Sequence, residues 1–237
     1  MTDSLRFQFF AVQSAPMKIK AVAFDMDGLM FDTEDVYWKA AEALMGRRGA
    51  TFTNELNDAF MGRPPKVFFD YLIDTLGFPG TWQELQTESE DLFMGFLDDG
   101  YSTMPGLYEL LELLERLNIP KGICTSSVSR VVSEVLRRKD MRQRFEFVLT
   151  ADDITRGKPD PEIYLKAAAR FGIDPSAMLV LEDSTAGCQA ALSAGAIGVA
   201  VRVHHNAHCV FDAAKMVVPR LDDPQVMGLF APTEPTA

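Results

Sequence analysis

The chain has 237 residues, 47% of them hydrophobic and 24% charged, which is enough to bury a core without disulfides and excludes disorder of the whole chain. A formal net charge of -11 and a pI near 4.7 set a field that disfavours nucleic acid and anionic lipid as partners. Cysteines at 124, 188 and 209 follow no Cys-x-x-Cys spacing and read as free thiols of a cytoplasmic protein, and no apolar run reaches bilayer length.

Residues 1–16 read as an N-terminal extension, with Met17 as an alternative start. A continuous apolar run then predicts a strand over 18–25, ending in Asp25-Met26-Asp27-Gly28. About seventy residues separate this strand's loop from the next strand signal, well beyond an ordinary crossover, and that gap reads as an inserted helical domain over 34–101. Inside it, three- and four-residue apolar spacing predicts helices at 34–45, 54–61, 65–76 and 81–97, broken by Gly77-Phe78-Pro79-Gly80. Met104-Pro105-Gly106 marks the return to the first domain, assigned 17–33 and 102–237. From there the signals alternate: helix 106–117, strand 121–125, helix 129–139, strand 145–150, a helix opening near Pro161, strand 177–182, helix 186–194, strand 197–203 and a short strand at 215–218. This alternation predicts an α/β fold, a Rossmann-like parallel sheet wrapped by helices. The tail, 232–237, reads as frayed.

Ligands of such sheets bind outside the carboxyl ends of the strands. Asp25 and Asp27 fall there, as do Thr125-Ser126-Ser127, Lys158 in Gly157-Lys158-Pro159-Asp160-Pro161, and Glu182-Asp183. An Asp-x-Asp-Gly sequence alone is also an ordinary turn, but independent turns would not choose such complementary chemistry. Two like charges 4 Å apart cost about 4 kcal/mol near a protein surface, so the acids call for a cation. Mg²⁺ suits a few carboxylates combined with substrate phosphate oxygens. Lys158 and the Thr125 hydroxyl then face a phosphoryl group. One aspartate is free to attack phosphorus, and its neighbour handles the proton.

At these motifs the chain resembles the haloacid dehalogenase-like phosphatase superfamily, over nearly everything after Met17. The resemblance implies Asp25 as nucleophile and Asp27 as acid/base, with Asp25, Asp27, Glu182 and Asp183 holding Mg²⁺ and the Asp27 carbonyl among the ligands. Thr125, the Ser126 amide and Lys158 would bind the phosphoryl group. The helical insert would be the cap of the subgroup that includes sugar-phosphate phosphatases, phosphoglycolate phosphatases and β-phosphoglucomutase. Asp32-Thr33-Glu34, Met61-Gly62 and Thr125-Ser126-Ser127 look closest to the pseudouridine-5'-phosphatase branch.

Arg63 is the cap residue best suited to grip a phosphate or carboxylate, with a solvated loop charge as its plain alternative. Tyr37 and Trp38 read as packing of the cap. Tyr37 stands where β-phosphoglucomutases usually carry histidine, which favours hydrolysis over a mutase, the alternative reading. A dehalogenase would lack Asp27. A receiver module would lack the insert, and a mere metabolite binder would not need the full catalytic set. The expected partner is a small phosphorylated metabolite, acted on by a monomer or weak dimer. His204, His205 and His208 lie in a loop and are not assigned a metal.

Overall fold

The computed structural model describes residues 19–60 and 65–230. Six strands form one parallel sheet: β1 (Ala21–Phe24), β2 (Lys121–Cys124), β3 (Val148–Leu149), β4 (Met178–Glu182), β5 (Ile197–Val201) and β6 (Met216–Val218). Their order is β3-β2-β1-β4-β5-β6. The chain builds outward from β1 on one side, then crosses to build outward on the other. The reversal lies between β1 and β4, and this is where a doubly wound sheet opens a crevice.

Nine helices are described: α1 (Glu34–Gly46), α2 (Asn54–Phe60), α3 (Pro65–Asp74), α4 (Trp82–Phe96), α5 (Leu107–Arg116), α6 (Ser129–Arg138), α7 (Glu162–Phe171), α8 (Thr185–Ser193) and α9 (Pro224–Gly228). None is long and apolar enough to cross a membrane.

Every residue of β1, β4 and β5 is buried, as expected of parallel strands covered on both faces. Successive side chains leave opposite faces of a strand. Val22, Phe24, Leu179 and Leu181 accordingly join one core layer with Leu107, Leu110, Leu111 and Leu114 of α5 and Val131, Val132, Val135 and Leu136 of α6. Ala23, Met178 and Val180 join the opposite layer with Ile163, Tyr164 and Ala167 of α7 and Ala190 and Ala191 of α8.

Between β1 and β2 the insert α1–α4 closes on its own core of Leu44, Met45, Phe52, Phe69, Leu72, Phe78 and Leu85. Trp38 belongs there, edge-on to Phe52 at 4.8 Å between ring centroids. Helix α4 opens with a reciprocal cap in which Thr81 Oγ1 accepts from the Glu84 amide and Glu84 accepts from the Thr81 amide. The third strand is shorter than its apolar run suggests. Phe145 and Phe147 pack inward while backbone pairing continues loosely, with the Glu146 amide on the Lys121 carbonyl at 2.9 Å and the Ile123 amide on the Phe147 carbonyl at 3.1 Å. Arg63 lies outside the described residues.

Candidate active site

The acids at the mouths of β1 and β4 meet because the two strands run side by side in register, Phe24 against Leu181, with the Asp25 amide donating to the Leu181 carbonyl at 3.0 Å. Asp25, Glu182 and Asp183 form a buried triad in which one oxygen from each lies within 4.8 Å of the others. Lys158 comes from the loop before α7 and is itself buried. Its Nζ donates to Asp25 Oδ1 at 2.5 Å, to Glu182 Oε1 at 2.6 Å and to the Cys124 carbonyl at 3.0 Å. The Lys158–Pro159 peptide bond is cis.

Glu182 is held on both oxygens. Oε1 also accepts from the Tyr164 hydroxyl at 2.5 Å, and Oε2 accepts from the Ser184 hydroxyl at 2.9 Å and from the Asp183 and Ser184 amides. Ser184 is at once the N-cap of α8, its hydroxyl accepting from the Gly187 amide at 3.0 Å. Gly187 is glycine for a steric reason, since a Cβ there would overlap the Glu182 carboxylate.

Asp27 sits two residues beyond Asp25 and faces a different set of groups. Its Oδ1 accepts from the Thr33 hydroxyl at 2.8 Å, and its Oδ2 accepts from Ser127 Oγ at 2.7 Å and Thr125 Oγ1 at 3.2 Å. Thr125 Oγ1 in turn accepts from the Ser127 amide at 3.0 Å. The chain turns between the two aspartates and the insert at Gly28, whose φ of 74° favours glycine. A Cβ there would overlap Asp183 Oδ2 and stand 2.7 Å from His205 Nε2.

Burial pushes the Asp25 carboxyl well above the ordinary aspartate value, against the pull of the Lys158 ammonium. Burial likewise raises Asp183, helped by Glu182 and Glu34, and raises Asp27 against its three hydroxyl donors. Burial opposes the charge on Lys158, yet Asp25 and Glu182 outweigh it and hold that ammonium above its usual range. Three carboxyl groups thus face one ammonium, and in the absence of a further cation burial favours the protonated forms of Asp25 and Asp183. The triad's oxygen-only donor set fits a hard divalent cation.

The structure therefore brings together Asp25, Asp27, Thr125, Lys158, Glu182 and Asp183. Ser126 is exposed in the adjoining loop. Four neighbours went unassigned in the sequence: Thr33, Ser127, Tyr164 and His205. Ser127 and Thr33 stand within the sequence motifs, but only the fold shows both reaching Asp27. Tyr164 reads as one more apolar position on α7, and nothing local in the sequence tells that its hydroxyl ends on Glu182. Tyr37 does more than pack. Beside its contact with Phe93, at 4.3 Å between centroids, its hydroxyl lies 2.8 Å from Ser127 Oγ.

The family model for the haloacid dehalogenase-like hydrolases matches residues 22–201, from β1 through β5. The chain belongs to that family. Among its relatives is a phosphorylated carbohydrates phosphatase of Thermotoga maritima, 32% identical over 75% of this chain and 82% of the relative. Another is a "Probable pseudouridine-5'-phosphatase" of Drosophila melanogaster, 32% identical over 75% of this chain and 79% of the relative. The crystal structure of CbbY from Rhodobacter sphaeroides in complex with phosphate superposes with a TM-score of 0.80, covering 86% of this chain and 96% of that one at 21% identity. That likeness shows a shared fold. As a haloacid dehalogenase-like hydrolase the chain is an enzyme of the phosphatase kind, with α1–α4 as its helical insert.

Proposed function

We propose that this enzyme hydrolyses a small phosphorylated metabolite, a sugar phosphate or similar polyol monoester, through a phosphoryl group carried briefly on Asp25. The observation that carries the reading is the Lys158 ammonium bridging Asp25 and Glu182 at the β1/β4 crevice, with Asp27 two residues on and held by hydroxyls. Substrate class rests on the relatives, whose names point to phosphorylated carbohydrates and pseudouridine 5'-phosphate.

In the first step an Asp25 carboxylate oxygen bonds to phosphorus as the P–O bond to the sugar breaks, and the Asp27 carboxyl gives its proton to the departing alkoxide. In the second, water attacks the acyl phosphate. Asp27, now a carboxylate, takes the proton, the Asp25–phosphorus bond breaks, and inorganic phosphate leaves. A raised Asp27 pKa suits the first step, because it keeps the acid protonated at higher pH than an ordinary aspartate. Lys158, Thr125 and the Ser126 amide serve the equatorial phosphoryl oxygens.

The acid triad, with the Asp27 backbone carbonyl, would hold Mg²⁺. When bound, the ion offsets the charge of the acids and of the phosphoryl oxygens. Asp25 and Asp183 would supply oxygens directly. Glu182, already gripped by four residues, would fix both the ligand set and Lys158.

Hydrolysis is preferred over a mutase because of Tyr37. Burial pushes its phenol well above the ordinary value, so this residue stays neutral, and its hydroxyl is taken up with Ser127. A phosphate-release panel of sugar phosphates, pseudouridine 5'-phosphate, nucleotides and phosphoglycolate with Mg²⁺ tests the reading. Turnover of at least one sugar phosphate, lost in Asp25→Asn, is expected. Conversion of β-glucose 1-phosphate to glucose 6-phosphate without phosphate release would overturn it.

A further inference from the structure

Outside the acid triad, a second cluster lies where the linker into the insert meets the loop after β5. From Asp32, His204 and His205, one ligand-capable atom each falls within 4.8 Å of the other two. Asp32 stands between β1 and α1, its amide donating to the Ser102 carbonyl at 3.0 Å. The two histidines belong to a loop that is tied down: the Asn206 side chain is buried, donates to the carbonyls of Asp183 and Val201, and accepts from the Val203 amide at 2.8 Å.

Two atoms here lack what buried polar atoms almost always have. Asp32 Oδ1 and His205 Nδ1 are both buried without a hydrogen-bond partner among the described residues. The opposite ring nitrogen of His205, Nε2, lies 2.7 Å from Asp183 Oδ2. A neutral imidazole donates from one ring nitrogen and accepts at the other, and here one is engaged by a carboxylate while the other has no hydrogen-bond partner among the described residues. A carboxylate holding one imidazole nitrogen, with the other left without a protein partner, is an arrangement found in metal-binding histidines. His204 Nε2 lies 3.9 Å from Asp32 Oδ1, and the two imidazole rings are perpendicular at 5.3 Å between centroids.

We propose that Asp32, His204 and His205 form a second metal site, for a zinc-like transition ion, beside the hard-cation site and coupled to it through Asp183. The donor sets differ in kind. The triad offers carboxylate oxygens alone, whereas this site offers two imidazoles and one carboxylate, which suits zinc, nickel or copper over magnesium. Tetrahedral zinc with bonds of about 2.0–2.1 Å places its ligand atoms about 3.4 Å apart, so three atoms within 4.8 Å of one another have at most about 1.4 Å to close. A water or the nearby Glu34 carboxylate, whose charge acts on His205, completes the shell. Occupancy would pin the linker between sheet and insert to the β5 loop. The proposal does not depend on the reaction catalysed.

Calorimetric titration of the full chain with Zn²⁺ in excess Mg²⁺, followed alongside by histidine Cε1–H resonances, tests the proposal. We expect binding of one Zn²⁺ that weakens at least about tenfold in His204→Ala, with the His204 and His205 resonances moving together. His204 is largely exposed, so its removal leaves folding intact. His208→Ala is the control and should bind as wild type, since His208 is exposed and outside the cluster. Equal affinity in wild type and His204→Ala, unmoved His204 and His205 resonances, or no Zn²⁺ uptake would each overturn it.

Discussion

The two aspartates of the β1 loop, two positions apart, differ in what holds them. Asp25 faces Lys158 and the acids of β4, while Asp27 faces three hydroxyls. Under the proposed mechanism the first would attack phosphorus and the second would transfer the proton. Asp27→Asn should lower kcat by about a hundred- to ten-thousandfold for a sugar phosphate, the usual range for a positioned acid–base group. It should lower kcat far less for formation of the enzyme intermediate from p-nitrophenyl phosphate, whose leaving group departs unprotonated. Steady-state and burst kinetics on the two substrates check this. Gly187 offers a separate test: Gly187→Ala should force the Glu182 carboxylate off its Lys158 and Tyr164 partners. Loss of one preorganised charge contact of this kind costs about a hundred- to a thousandfold in kcat, and circular dichroism would show the fold retained.

At the scale of elements, helix α5 is the clearest reading of sequence into packing. Its leucines at 107, 110, 111 and 114 are fully buried, and Leu110→Ala should cost about 2–5 kcal/mol in denaturant unfolding. Its last turn carries Glu115, which ties the helix to the segment before β3 through Arg144 at 2.8 and 2.9 Å and to β2 through Lys121 at 3.2 Å. The Arg144 hydrogen bonds lower the Glu115 carboxyl from 4.5 to about 2. A depressed carboxylate stabilises the fold above its unfolded value and loses that contribution as pH falls through the folded one. The side chain is 40% exposed, so screening limits the effect to under about 1 kcal/mol. Glu115→Gln should therefore be less stable than wild type at pH 7. The gap should close between pH 4.5 and about 2 in urea midpoints measured across that range.

These elements also show what the sequence could tell. Continuous apolar runs found the strands, and three- and four-residue spacing found the helices of the insert, because both signals report burial directly. The β3 run overshot, since Phe145 and Phe147 are apolar for the core without being regular strand. Short α9 went unread because five residues carry too little periodicity. At the site, Asp25, Asp27, Thr125, Glu182 and Asp183 were visible because each closes or follows an apolar strand, and Lys158 because it stands in Gly157-Lys158-Pro159-Asp160-Pro161. His205 was not: its partner Asp183 lies 22 residues away, and only the pairing of β4 with β5 brings the two loops together.

For the whole molecule, a net charge of -11 and an acid triad at the sheet's switch point should make stability depend on divalent cations. Mg²⁺ should raise the melting temperature beyond the effect of NaCl at equal ionic strength. At a hundred times its dissociation constant the gain is about 2.7 kcal/mol. Asp183→Asn should abolish that gain, and chelation by EDTA should stop turnover.

The proposed chemistry depends on phosphorus being carried on Asp25. Mixing Asp27→Asn enzyme with p-nitrophenyl phosphate and Mg²⁺, quenching in acid and mapping the phosphoryl group by peptide mass spectrometry tests it most directly, because the first step survives while the water-activating base is gone. A phosphorylated peptide spanning β1, with the label on Asp25, is expected. A label on any other residue, or stoichiometric release of nitrophenol with no labelled peptide, would contradict it.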